Sequence, residues 1–300
     1  MDTTGFGLAL LAMVLFGLYM VPRKLSGLRD FDFVLSMCVG AVLTTQLVQL
    51  AVHGTNLPPI TYRGWWLSFS CGPLWALGML FYTLSVSQMG LALSTPIKNT
   101  TAVLGTAFGL LVFAEWRQTS PVMALAGSVL VVACAVVLGR CGDREQESRS
   151  CVTPLGVVYA LLAAVFFAAY TIPLKLAQAD RVDTYELLAL MGLGTLLGGV
   201  ILFLVFSRNR RRWFTEPMPH HLWAALAGAI WASATLVMAH AIERVGLAVT
   251  WPVTNLNTIV TVAAGVVIFH EIDLRRRARD IALSMALAIA GTVLLGLSRR

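Results

Sequence analysis

Apolar residues run along this chain in blocks of about twenty, enough for a helix to cross a bilayer at 1.5 Å per residue. They predict ten spans, near 5–22, 33–52, 64–87, 90–113, 121–139, 154–173, 185–206, 221–242, 246–269 and 279–297. Two of the blocks carry proline and strongly polar residues in their interiors. Residues 90–116 read GLALSTPIKNTTAVLGTAFGLLVFAEW, and residues 246–272 read GLAVTWPVTNLNTIVTVAAGVVIFHEI. A shift of 156 places Gly90 on Gly246, Pro96 on Pro252, Asn99 on Asn255, Gly109 on Gly265, Phe113 on Phe269 and Glu115 on Glu271. Paired, interrupted apolar segments at matching places in two halves point to a transporter's binding site.

The repetition reaches beyond these segments. At the same shift, Cys71–Trp116 against Ala227–Ile272 gives 13 identities in 46 positions, Trp75 with Trp231 among them. A shift of 151 pairs YMVPRKL with YTIPLKL, so that Tyr19 meets Tyr170, Pro22 meets Pro173 and Lys24 meets Lys175. Shared apolar composition does not align tryptophan, proline, asparagine and glutamate in this way. The polar segment 140–153, RCGDREQESRSCVT, separates the copies. The expected fold is therefore an all-α integral membrane protein of ten transmembrane helices. Residues 1–139 form one five-helix repeat, 140–153 a linker and 154–300 the second repeat. An odd number of spans per copy makes the second enter from the opposite side, as an inverted repeat.

Composition leaves no room for a soluble domain: 58% of the 300 residues are hydrophobic and 12% charged, against about 25% charged in soluble chains. The lipid bilayer is the expected partner. A net charge of +7 would suggest nucleic acid elsewhere, but here the arginines sit in short loops, and no nucleic-acid partner is expected. Fourteen lysines and arginines fall in the connections after spans 1, 5, 7 and 9, against seven on the opposite side. The excess of basic residues on cytoplasmic loops then predicts both termini outside, in a plasma (inner) membrane. The first apolar run has no basic leader or small-residue cleavage site and is read as a retained span. The five cysteines show no metal-ligand spacing, and no HExxH occurs, so neither a metal, a cofactor nor an enzyme activity is expected.

The ten-span layout, the YxxPxKL ending of the first helix of each half and GLALSTPIKN…GLLVFAEW together resemble the drug/metabolite transporter superfamily (EamA-like). Within it the chain is most similar to the glucose/ribose uptake branch of sugar transporters. The resemblance implies alternating access around a cavity lined by spans 1–4 and 6–9, with spans 5 and 10 peripheral. Lys98 departs from the branch pattern, where an uncharged polar residue is more typical.

Candidate site residues follow from depth and chemistry. Pro96 and Pro252 lack an amide hydrogen and free the carbonyls of Ala92 and Ala248, either for substrate or as simple kinks. Asn99 and Asn255 carry amides suited to sugar hydroxyls or to gluing helices together. Lys98 lies about two turns inside its span, where a cation is costly and marks function unless it snorkels outward. Trp75 and Trp231 sit mid-span as platforms for a sugar ring or as packing; Tyr82, His240 and Trp251 could join the wall. Glu115 and Glu271 end the interrupted segments, and Lys24 and Lys175 follow helix-ending prolines; these four are candidates for gating or coupling. Gly105-xxx-Gly109 and Gly194-xxx-Gly198 read as close-packing motifs. No Asp or Glu falls mid-span, which disfavours proton-driven cation export. The expected function is secondary active transport of a small polar metabolite, foremost a sugar, with a proton or sodium ion as coupling ion. The alternative cargo is an amino acid or organic anion to be exported, with Lys98 meeting a carboxylate.

Overall fold

The repeat is already visible in how the helices start and stop. In a computed structural model, residues 2–19, 21–55, 58–89, 94, 97–139, 153–207, 209–260, 264 and 274–298 are described, and every regular element among them is helical. Helix α1 (Thr3–Leu18) is capped by Asp2, whose carboxylate accepts from Gly5 N at 3.0 Å. Helix α7 (Pro154–Ala169) is capped at the matching place by Thr153, which accepts from Gly156 N at 3.1 Å. Each side chain takes up one of the orphan amides that open a helix. Both helices stop at the paired tyrosines Tyr19 and Tyr170 and resume as α2 (Val21–Ser26) and α8 (Thr171–Ala179), the turns that contain Pro22 and Pro173. A proline clashes with the carbonyl four residues back, so the axis breaks there.

The remaining long helices are α3 (Asp30–His53), α4 (Tyr62–Met89), α9 (Thr184–Phe206), α11 (Met218–Val245) and α13 (Leu274–Ser298). Shorter ones are α5 (Thr101–Leu111), α6 (Pro121–Gly139), α10 (Arg210–Thr215) and α12 (Leu247–Thr254). Among the described residues, six helices are long and apolar enough to cross a membrane, and 101–111, 121–137 and 282–298 form shorter apolar ones. Predicted spans 4 and 9 are not continuous: turns at Asn99–Thr100 and Asn255–Leu256 interrupt them. The predicted linker falls outside the described residues except at Thr153.

The helices pack reciprocally. α4 lies against α7 and α9, while α11 lies against α1 and α3; α3 also packs on α9, and α6 on α13. Glycines allow the closest crossings. A Cβ on Gly72 of α4 would stand 2.1 Å from Thr195 N of α9, and one on Gly228 of α11 would stand 2.0 Å from Met37 O of α3. These glycines are themselves 156 residues apart. Gly194 and Gly198 press on Phe69 O and Pro73 of α4 in the same seam. Exposed aliphatic residues recur on the outer faces, Leu43, Leu47 and Leu50 on α3 and Leu193, Leu197 and Ile201 on α9. Such contiguous apolar stripes suit lipid rather than water, and the chain is an integral membrane protein.

Side-chain contacts sort the connections into two ends. At one end Asp2 approaches Arg244 (3.9 Å), His53 pairs with Asp183 (2.9 Å), Arg63 with Asp180 (3.4 Å), and Ser120 N donates to Ser298 O (2.6 Å). At the other, Arg23 pairs with Asp30, Ser87 donates to Asp30 (2.7 Å), and Ser36 bonds His221 (2.8 Å) and Trp213 (2.9 Å).

Candidate functional site

The two interrupted segments meet where the halves join. Pro252 cannot donate to Ala248 O, and Asn255 ends α12 with its backbone N–H shared between Trp251 O and Pro252 O, both at 3.2 Å. Its side-chain amide donates back to Trp251 O at 2.8 Å and locks the turn. Asn99 reaches across from the first segment: its amide donates to Thr258 Oγ1 (2.7 Å) and to Asn255 O (3.4 Å). Its own carbonyl oxygen, Oδ1, is buried with no hydrogen-bond partner among the described residues. The carbonyl that Pro252 frees is not bare, for Thr106 Oγ1 donates to Ala248 O at 3.3 Å. Trp251 packs edge-on to Tyr170, with centroids 5.6 Å apart, and donates its indole N–H to Thr101 O at 2.9 Å.

Trp75 on α4 and Trp231 on α11 lie ring against ring, centroids 4.2 Å apart and planes tilted by 35°. Both are buried, so neither faces lipid. Seven residues along α4, on the same face and about 10 Å down the axis, stands Tyr82. Its ring and that of Phe167 are set at 68° to each other, with centroids 6.5 Å apart. The Lys98 ammonium lies 5.6 Å from the Tyr82 centroid and 5.8 Å from that of Phe167. Lys98 is 9% exposed, and among the described residues no carboxylate stands within ion-pair distance of it. Cation–π contacts near their outer reach of about 6 Å contribute ~0.5–1 kcal/mol each. Holding a cation at bilayer depth costs ~2.5–3.5 kcal/mol at the least, so the two rings alone leave the charge under-compensated.

A second constellation sits at one end. The turn after α5 puts Ala114 in the left-handed region (φ 53°) and aims Glu115 at the start of α12. Glu115 Oε1 accepts from Leu247 N at 3.0 Å and Oε2 from Ala248 N at 2.9 Å. Lys175 of α8 completes the set, with Nζ 2.6 Å from Glu115 Oε1. One carboxylate thus caps a helix N-terminus, where the aligned peptide dipoles favour negative charge, and pairs with a lysine of the other half. His240 stands near the end of α11, bonded to Glu243 (3.2 Å) and edge-on to Tyr185, at this same end and apart from the tryptophans. Pro96, Glu271 and the side chain of Lys24 fall outside the described residues.

A family model for sugar transport proteins matches residues 8–298. The chain belongs to the sugar transport protein family. Relatives of this family member include a putative sugar uptake protein of Bacillus anthracis, 23% identical over 98% of this chain and 99% of that one. The glucose uptake protein GlcU of Bacillus subtilis is 22% identical, with 88% and 89% covered, and a probable glucose uptake protein GlcU of Priestia megaterium is 23% identical, with 97% and 98% covered. One solved crystal structure superposes with a TM-score of 0.78 at 16% identity, over 99% of this chain and 98% of that one, a likeness that carries the fold alone.

Sequence reasoning passed over four residues at this sugar transport protein's centre: Thr101, Thr106, Phe167 and Thr258. Thr106 donates to the carbonyl that Pro252 frees, Thr258 accepts from the Asn99 amide and the Thr101 carbonyl accepts from the Trp251 indole, crossings that single-span hydropathy does not register. Phe167 did carry a signal, since it lies one turn before Tyr170 on the same helix face.

Proposed function

We propose that this protein carries a small sugar across the plasma membrane by secondary active transport with alternating access, coupled to a proton or a sodium ion. The observation that carries the proposal is the meeting of the two interrupted segments, Asn99 on Asn255 and Thr258, beside the Trp75–Trp231 pair. Membership of the sugar transport protein family and relatives named for sugar and glucose uptake support the cargo. Reciprocal packing of α4 on α9 and α7, and of α11 on α3 and α1, supports ten crossings as two inverted five-helix repeats in the manner of the drug/metabolite transporters. The segregation of connections to two ends supports the same count, and basic residues put the end with Arg23 and Trp213 in the cytoplasm.

In this scheme Trp75, Tyr82, Lys98, Asn99, Trp231, Trp251 and Asn255 surround the cargo, and Asn99 Oδ1 accepts from a sugar hydroxyl. Glu115 and Lys175 hold the outer end shut. The test is uptake of a panel of labelled neutral and acidic sugars into proteoliposomes, with and without an imposed proton or sodium gradient. Gradient-dependent accumulation of at least one sugar, weakened by Asn99→Ala and by Asn255→Ala, is expected. Unaffected uptake in both variants would remove the asparagine pair from the site, and accumulation of no sugar would overturn the cargo.

A further inference from the structure

Among the described residues, several basic side chains away from the centre stand against a carboxylate. Arg23 has Asp30, His53 has Asp183, Arg63 has Asp180, Lys175 has Glu115, Arg212 has Glu216, and His240 has Glu243. Lys98 is the exception at the centre: nine-tenths buried, between two aromatic rings, with no carboxylate in reach among those residues. Ring faces attract a cation through their quadrupole and give nothing comparable to a neutral amine, so the cage is built for the charged form. Next in sequence, Asn99 Oδ1 is a second buried polar atom with no hydrogen-bond partner among those residues. A cation and an acceptor, adjacent in sequence and both incomplete, describe a site that a ligand completes.

We infer that the cargo is a sugar bearing a single carboxylate, held with its anionic end at Lys98 and its hydroxylated ring toward Asn99 and the tryptophan pair. The inference rests on the sugar-transport reading and narrows it. One lysine matches one negative charge, which favours a carboxylate over a phosphate dianion. A carboxylate would supply the charge-assisted bond that the rings cannot. The repeat also fixes the direction. The position equivalent to Lys98 is Thr254, whose hydroxyl is turned onto its own helix, donating to Trp251 O at 2.8 Å. Only one of the two equivalent positions therefore receives an anion, and the cargo binds one way round.

The experiment measures uptake of labelled D-glucuronate, D-glucose and D-glucose 6-phosphate by the full chain in proteoliposomes, for wild type, Lys98→Met and Lys98→Arg. The inference requires that wild type prefers glucuronate to both other sugars. It requires that Lys98→Met lowers the glucuronate-to-glucose ratio by roughly 10- to 100-fold, the size expected for a lost charge-assisted contact, and that Lys98→Arg keeps most of it. Glucose uptake without competition from glucuronate would overturn the inference while leaving sugar transport standing. So would equal loss of both sugars in a folded Lys98→Met, or a preference for the phosphate. Uptake of none of the three by wild type would overturn both readings. Should Lys98→Met fail to fold, the thermal shift of the wild-type protein decides: stabilisation by glucuronate above that by glucose supports the assignment, and its absence overturns it.

Discussion

Glu115 makes two kinds of contact at once, and a charge swap separates them. Its carboxylate pairs with Lys175 at 2.6 Å and accepts from two backbone amides, Leu247 N and Ala248 N. Lys175→Met removes one of three partners. Charge-assisted bonds contribute ~1.5–3 kcal/mol, and with the lysine about one-fifth exposed the lower half of that range applies. Glu115→Ala removes all three, strands two amides at ~1–3 kcal/mol each and leaves Lys175 unpaired; we expect a loss of about 3–5 kcal/mol. In the swap Glu115→Lys with Lys175→Glu the ion pair can re-form, but a cation now faces the N-terminus of α12, which is unfavourable by ~0.3–2 kcal/mol and supplies no acceptor. The order of thermal midpoints in detergent should be wild type, then Lys175→Met, then Glu115→Ala and the swap together at the bottom. If the set also holds the outer end shut, a loss of ~2 kcal/mol moves the open-to-closed ratio by about 30-fold, and gradient-driven uptake falls with stability. A swap that restores the midpoint and uptake to the level of Lys175→Met would refute the argument, because it would show that the ion pair matters and the helix cap does not.

Two further outcomes are expected. Gly105→Ala places a methyl carbon 2.0 Å from Cδ1 of Trp251 and should cost ~1–3 kcal/mol by overpacking; Gly7→Ala, with nothing within 4 Å, should leave the thermal midpoint unchanged or slightly raised. In a cysteine-free background, cysteines placed at Asp2 and Gln146 should react from outside and from inside the cell respectively, and the reverse labelling would invert the orientation.

The helical class, the membrane and the central pair of interrupted segments were all legible in the sequence. Hydropathy reads span length directly, and aligned tryptophan, asparagine and proline mark equivalent places in two copies. Trp75 and Trp231 touch, and Asn99 reaches Asn255. The sequence did not reveal which polar groups were already satisfied. Ala248 O looked free for substrate, because Pro252 removes its helix donor, yet Thr106 from another helix donates to it. Trp251 was expected to join the cavity wall, and its N–H is spent on Thr101 O. Such partners come from tertiary crossings between segments some 140 to 150 residues apart, which no local pattern encodes. His240 stood inside a predicted span, but α11 runs to Val245 and the ring finds Glu243 one turn on.

What the repeat shares and what it breaks bear on different properties. Paired features, the caps at Asp2 and Thr153, the breaks at Tyr19 and Tyr170 and the glycines at Gly72 and Gly228, all concern how helices begin, bend and cross. Under the alternating-access scheme proposed above, the two halves would exchange roles, and these features would have to match for each state to be nearly as stable as the other. The unpaired features sit where cargo would be. In the sequence alignment of the two copies, Lys98 corresponds to Thr254, Thr106 to Val262 and Tyr82 to Met238. A sugar has no two-fold axis, so a cavity that recognises one cannot keep the symmetry of its frame. The lysine is the strongest of these departures, because a charge at that depth is costly in every state that leaves it alone. On the proposed reading, an anion that enters with the cargo would lower that cost only when the site is occupied, so the residue that selects the cargo would also favour closing around it.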